Sequence, residues 1–252
     1  MAVTRVLDGL RHVKQRLVRT SRTARRQLGE RIIAQIAREE FAKQRHARVE
    51  RSIEYRFVFE QLTRTAPVSI LDVGPGITAL PALMASAGYV VTAIDNVKDF
   101  WPAGMFNRHF HVIDDDIRAS RLEATFDLVT CISVLEHIDD ADAAVAGMFN
   151  RLKPGGYLVL TCPYTDHRHC PNVYRLGTSD ACGIDVPYIC QSYSRQQLEG
   201  WLARSNAEIV HQEFWRLYTG EFWSCGNQVW PPVQVEVRDS HQLTCLLLRK
   251  AS

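Results

Sequence analysis

The sequence contains no run of about 18 consecutive apolar residues, so it predicts no membrane-spanning helix. The N-terminal stretch "MAVTRVLDGLRHVKQ" is interrupted by charges too often for the apolar centre of a signal peptide, and a cytoplasmic protein is expected. Paired cysteines are missing as well. The seven cysteines are an odd number and scattered, and Cys131, Cys162 and Cys245 lie inside apolar runs, where a thiol behaves as a small hydrophobe. Free thiols in a reducing compartment are therefore expected. Cys170, Cys182 and Cys190 are separated by 11 and 7 residues, with no two-residue gap, so no metal site is predicted. The first 65 residues hold only two glycines, Gly9 and Gly29, and no proline, which leaves helix as the favoured state for that segment.

What is present fits one large α/β domain with an appendage. The 252 residues are 46% apolar and 23% charged, enough for a sizeable core. The net charge of +2 conceals an asymmetry: residues 1–50 hold 13 Lys/Arg and 5 Asp/Glu, a local charge of +8, and the remainder carries −6. Residues 1–50 are read as a basic helical extension and 51–252 as the main domain. Val6, Leu10, Val13 and Leu17 share one helical face, ringed by Arg5, Arg11, Lys14, Arg16 and Arg19. Two readings of this stripe stand. It can dock peripherally on an anionic membrane surface, or it can bury against protein, including a second copy in a homodimer. The second is favoured, because the stripe is narrow and lacks an aromatic anchor. A further helical pattern runs through Ile32, Ile33, Ile36 and Phe41, and a third through "ERSIEYRFVFEQL".

From residue 68 short β-branched runs alternate with helical stretches, which implies a mostly parallel sheet. The predicted strands are "VSILDV", "YVVTAID", "HFHVID", "FDLVTCIS" and "YLVLTC", followed later by "AEIVHQEFWRL" and "QLTCLLLRK". Between them lie helical segments, a short piece near "VKDFWPAGM", and "LKPGG" as a helix stop. Ser194 is placed to cap the helix "SRQQLEGWLARSN", and "YTGEFWSCGNQVWPP" reads as an aromatic loop. Residues 163–192 have no clear period, and a segment of that kind is expected to be functional or mobile.

The stretch "SILDVGPGITALPALMASAGYVVTAIDN" is strand, glycine loop, helix, strand. A loop that cradles a pyrophosphate wants a third glycine, where Ala79 stands. Asp72, two residues before Gly74, would repel a pyrophosphate and suits a ligand with positive charge. Asp95, 19 residues after Gly76, is placed to accept ribose hydroxyls. S-adenosyl-L-methionine has the ribose and the cationic centres and lacks a phosphate.

With "VIDDDIRAS", "FDLVTCISVLEHI" and "LKPGGYLVLTCPY" following in order, the stretch Ser69–Pro163 resembles the class I S-adenosylmethionine-dependent methyltransferases of the broad small-molecule type. The resemblance implies a Rossmann-like α/β fold, with seven strands, the last of them antiparallel, and helices on both faces. It implies S-adenosyl-L-methionine held by Asp72, Gly74, Gly76, Asp95, Asp116, Ile117 and Ser133, with Asp116 and Ile117 at the adenine. The alternatives at these positions are a tight turn for the glycines, a helix cap for Asp95, and a solvated acidic turn for part of Asp114–Asp116.

An oxygen acceptor needs its proton removed. His137 is the first candidate base and His167 the second, with Asp166 and His169 also near strand ends. Residues 163–192 are assigned to the acceptor side. The place after the fourth strand reads "CISVLE" rather than the Asn/Asp-Pro-Pro-aromatic signature of amino methylation on nucleobases, so a nucleic-acid partner is not expected. "SIEYRFVFEQL", "CISVLEHI" and the late "EFW" stretches look similar to bacterial methyltransferases of glycan and secondary-metabolite biosynthesis, a resemblance that implies a glycan or another small metabolite as acceptor, with Tyr164, Tyr174, Tyr188, Phe214, Trp215, Phe222, Trp223 and Trp230 as candidates for a ring-binding wall. Two alternatives to O-methylation are kept. One is a non-catalytic module that retains the fold. The other is an RNA methyltransferase contacting phosphates through the basic arm.

Overall fold

The computed structural model describes residues 23–34, 50–97 and 105–252. The chain divides into two compact units, Met1–Val49 and Glu50–Ser252. In the first unit, residues 23–34 form a helix (α1) with an Arg26–Glu30 pair at 2.8 Å one turn apart. The stripe of Val6, Leu10, Val13 and Leu17, together with Ile36, Phe41 and most of the "VKDFWPAGM" piece, lies outside the described residues.

The second unit begins with α2 (Arg51–Thr65) and continues with β1 (Ser69–Val73), α3 (Leu80–Ser86), β2 (Val90–Asp95), β3 (Val112–Asp114), β4 (Phe126–Ile132), α4 (Ala141–Asn150), β5 (Leu152–Pro163), α5 (Arg195–Ser205), β6 (Ala207–Tyr218), β7 (Gln228–Val235) and β8 (Leu243–Lys250). The strands form one sheet in the order β3-β2-β1-β4-β5-β8-β6-β7. The first five pair in parallel. β8 runs antiparallel between β5 and β6, and β7 is antiparallel on the outer edge of β6. The "QLTCLLLRK" strand is therefore antiparallel, as expected, but the sheet has eight strands rather than seven. The addition is β7, drawn partly from the aromatic stretch that read as a loop. Its Pro231 and Pro232 weaken the strand signal, yet proline is tolerated on an edge, where part of the strand's amides have no ladder partner.

Alternation along the strands divides the core in two. On one face Ile70, Leu128, Val159 and Leu247 pack under α2 and α3, against Phe57, Leu62 and Met84. On the other, Leu71, Val129, Leu158 and Leu246 pack under α4 and α5, against Val145, Met148 and Trp201. The helices carry local signals that fix their ends. Pro81 opens α3, the Asp140 carboxylate accepts from the Ala143 amide at 2.9 Å to start α4, and Gln197 reaches back to the Ser194 amide at 3.1 Å to start α5. The "KPGG" residues fall inside the span of β5, where the pairing with β4 is irregular between Phe126 and Leu128.

The strand ends remote from the glycine loop are tied by Asp127 at the start of β4. Its carboxylate accepts from the amides of Val68 and Ser69 at 3.1 and 2.8 Å, from the Ser69 hydroxyl at 2.8 Å and from Lys153 Nζ at 2.7 Å. Partial burial opposes ionisation, but the donors from Lys153 and Ser69 outweigh it and hold the carboxyl down to about 2. The stabilisation is complete above the unfolded value of about 3.9 and is lost as pH falls through about 2. Asp127→Asn should thus cost about 1–3 kcal/mol at neutral pH, and the deficit should fade between about pH 4 and pH 2. Denaturant titrations of both proteins across that range check this.

Candidate active site

A cavity of ≈ 1020 Å³ opens where the first four strands end. β1 contributes Asp72 and the loop beyond it. Gly74 and Gly76 both take left-handed φ, +72° and +53°, which side chains resist. A Cβ on Gly74 would stand 2.4 Å from Val134 Cγ1, whereas a Cβ on Gly76 would meet nothing within 4 Å among the described residues. The loop is tied from β2: the Gly74 amide donates to the Ile94 carbonyl at 2.8 Å, and the Gly76 amide donates to Asp95 Oδ2 at 2.8 Å. Asn107 Nδ2 adds bonds to the carbonyls of Gly76 and Thr78 at 2.8 and 2.9 Å.

Asp72 is 1% exposed. Its Oδ1 accepts from Thr130 Oγ1 at 2.6 Å, and its Oδ2 has no partner among the described residues. Burial pushes this carboxyl up to about 7, against the Thr130 hydrogen bond. Asp116 and Ile117 line the cavity after β3. The Asp116 carboxylate accepts from the Arg118 amide at 2.9 Å and pairs with its guanidinium at 2.6 Å, which holds the carboxyl below its usual range. Asp115 is buried and serves the turn, accepting from Ser120 Oγ at 2.7 Å and from the Arg121 amide.

After β4, Ser133 turns the chain with a φ of +50°, and a short 3-10 turn, Leu135–His137, follows. Both Ser133 and His137 line the cavity. A ring nitrogen of His137, Nδ1, lies 2.7 Å from the Ile189 carbonyl. A carbonyl only accepts, so Nδ1 carries the proton and the neutral ring presents Nε2 as a base. Burial lowers its pKa, against the Ile189 bond. The Tyr188 ring meets it edge-on at 4.5 Å between centroids.

The wall facing His137 comes from residues 172–189: Asn172, Tyr174, Arg175, and Cys182 through Ile189. His167 is exposed and does not line the cavity. Nor do Asp166, paired with Arg195 at 2.7 Å, or His169, stacked on Tyr193. Of the eight aromatic candidates only Tyr174 and Tyr188 reach it. Tyr164 and Phe222 are buried, Phe214 packs beside Tyr164 and His241, Trp215 donates to Glu213, Trp223 packs on Tyr218, and Trp230 lies exposed on β7. Sequence reasoning missed Arg51 and Tyr55, which enter the cavity from α2, and Asn107. Nothing distinguishes Arg51 and Tyr55 in the sequence from surface residues of an ordinary helix.

This sheet order and this cavity are those of the class I methyltransferase fold. A family model described as a methyltransferase domain matches residues 26–212, and the chain belongs to that family, whose cofactor is S-adenosylmethionine. The chain is 32% identical over 112 residues to the mitochondrial ubiquinone biosynthesis O-methyltransferase of Schizosaccharomyces pombe, covering 41% of each chain. It is 34% identical over 104 residues to the ubiquinone biosynthesis O-methyltransferase of Azotobacter vinelandii, covering 38% of this chain and 45% of that one. The chain thus matches under half the length of these curated relatives. Among solved structures it is similar in fold to the 1,6-didemethyltoxoflavin-N1-methyltransferase of Burkholderia thailandensis, with a TM-score of 0.54 and 16% identity over 87% of this chain and 89% of that one.

The residues present fit the family's cofactor. An orphaned, buried carboxylate oxygen on Asp72 calls for a donor, and the space at Gly76 is open for a ligand. Gly76→Val should abolish binding of S-adenosylhomocysteine, because its side chain would enter that space and resist the left-handed backbone. Unchanged affinity in calorimetry would place the cofactor elsewhere.

Proposed function

We propose that the protein O-methylates a small hydroxylated ring compound, with His137 as general base. The observation that carries this reading is the His137–Ile189 hydrogen bond, which leaves Nε2 as the basic nitrogen of a ring on the cavity wall, 3.9 Å from the buried Glu136 carboxyl. Asp72, Gly74, Gly76, Asp95, Asp116, Ile117 and Ser133 would hold S-adenosylmethionine, which supplies an activated methyl group for the acceptor oxygen. His137 Nε2 takes the hydroxyl proton, and its lowered pKa keeps it in the basic form at neutral pH. Tyr174 and Tyr188 offer ring faces to the acceptor, and Val186, Pro187 and Ile189 limit water around it.

The named activity of the curated relatives, O-methylation, supports an oxygen acceptor. The mostly apolar wall favours a hydroxylated ring over a glycan, since the greater part of the expected aromatic wall packs away from the cavity. Methylation assays on catechols and on hydroxylated sugars separate the two. Failure on both, with intact binding of S-adenosylhomocysteine, would favour the non-catalytic module.

His137→Gln should lower kcat by about 10²–10⁴ with cofactor affinity preserved. In the unsubstituted protein kcat should stay level above about pH 6.5 and fall only at lower pH, because the basic form persists down to the lowered pKa. A kcat–pH profile that continues to rise well above neutrality would assign the base to another group.

Asp72 yields a second expectation. Its carboxyl must be ionised to pair with the ammonium group of the ligand, which S-adenosylmethionine and S-adenosylhomocysteine share, and burial sets it at about 7 in the free protein. Affinity for S-adenosylhomocysteine should therefore rise between about pH 6 and pH 8, with proton release on binding, and Asp72→Asn should flatten that dependence. Calorimetry in buffers of different ionisation enthalpy measures the released proton.

A further inference from the structure

Ser133 is a non-glycine residue in the left-handed region, a conformation that persists only where neighbours impose it. Its side chain is held by Glu54, on α2, which precedes every motif of the cofactor site. Glu54 is fully buried. Its Oε1 accepts from Ser133 Oγ at 2.5 Å and from Thr161 Oγ1 at 2.6 Å, and its Oε2 pairs with Arg51 Nη1 at 2.9 Å. Arg51 Nη1 also donates to the Ile132 carbonyl at 3.3 Å, and the Ser133 amide donates to the Thr161 carbonyl at 3.1 Å. One carboxylate thus joins α2 to the ends of β4 and β5 at the point where the chain bends.

Both halves of the site follow from that bend. The next residue, Val134, sits against the glycine loop closely enough that Gly74 cannot bear a side chain. The turn that follows carries His137. Glu54 itself does not line the cavity. A buried carboxylate is a costly way to fill space beside an apolar core that an aliphatic side chain would suit, so its persistence at a strained turn points to a role in geometry.

We infer that Glu54 is a positioning residue: through Ser133 it sets Val134 against the cofactor loop and His137 at the acceptor end. The inference rests on the cofactor reading and not on the identity of the acceptor. The test compares Glu54→Leu, Ser133→Ala, Ser133→Gly and the Glu54→Leu/Ser133→Gly double variant in the full chain. It uses calorimetric affinity for S-adenosylhomocysteine and amide exchange at 134–137 as readouts.

Glu54→Leu should bind roughly tenfold more weakly and exchange faster at the turn, and adding Ser133→Gly should recover most of both, because glycine adopts the left-handed bend without the clamp. Ser133→Ala and Ser133→Gly both lose the hydroxyl, and with it any contact it makes to the cofactor, so they differ only in the freedom of the backbone; Ser133→Ala should bind more weakly than Ser133→Gly, and this pair stands even if Glu54→Leu does not fold. Equal affinity of Ser133→Ala and Ser133→Gly, or a folded Glu54→Leu with no recovery by glycine, would overturn the inference. If the unsubstituted protein fails to bind S-adenosylhomocysteine, the cofactor reading falls first.

Discussion

The bond from the Gly76 amide to Asp95 Oδ2, 2.8 Å long, is the constraint around which the site is arranged. It joins the loop after β1 to the end of β2. Two left-handed glycines make the path possible, and the Ile94 carbonyl and Asn107 hold it from either side. The loop therefore owes its shape to backbone contacts, the Asp95 carboxylate and the Asn107 side-chain amide, with little dependence on the side chains of Pro75 and Ile77. This explains how a proline is accommodated between the two glycines.

The same carboxylate contributes to an acidic rim. Asp72, Asp95, Asp115 and Asp116 all line the cavity, and Asp95 raises the proton affinity of Asp72 further. A phosphate would enter such a rim against like charge, whereas a cationic group would relieve it. Parallel strands ending together bring these acids close, and the open side of the sheet leaves them their ligand. Burial and charge thus select a class of ligand before any contact with its rings is considered.

The first five strands and the glycine-loop end of the cavity are legible because they are written locally. Short apolar runs fix the strands, and Asp72, Gly74, Gly76 and Asp95 occupy fixed steps along a strand–loop–helix–strand unit. β7 was hidden by its prolines, which only an edge position excuses. Glu54 was hidden for a different reason: in "ERSIEYRFVFEQL" it reads as an exposed partner of Arg51, and its burial depends on β4 and β5, about 80 and 107 positions away. The aromatic wall was overread, since aromatic composition near strand ends does not separate core from cavity; Tyr164 and Phe222 pack inside while Tyr188 faces the site. His167 and His137 both follow strands, and only the three-dimensional path of residues 163–192 separates them.

That path also joins His137 and the facing cavity wall into one unit. The carbonyls of Leu135, Glu136 and Ile138 accept from the Tyr193 hydroxyl, the Gln191 amide and Gln191 Nε2, and the Ile189 carbonyl receives His137 Nδ1. The turn that carries His137 is therefore held by residues 189–193 on one side and by the Glu54 clamp on the other. Substitutions at Tyr174, Arg175 or 182–187 can reshape that side of the cavity while the glycine loop stays as it is, because that loop has its own supports. Displacement of Ile189 is different in kind: it removes the acceptor for Nδ1–H, releases the tautomer, and so changes the chemistry along with the fit.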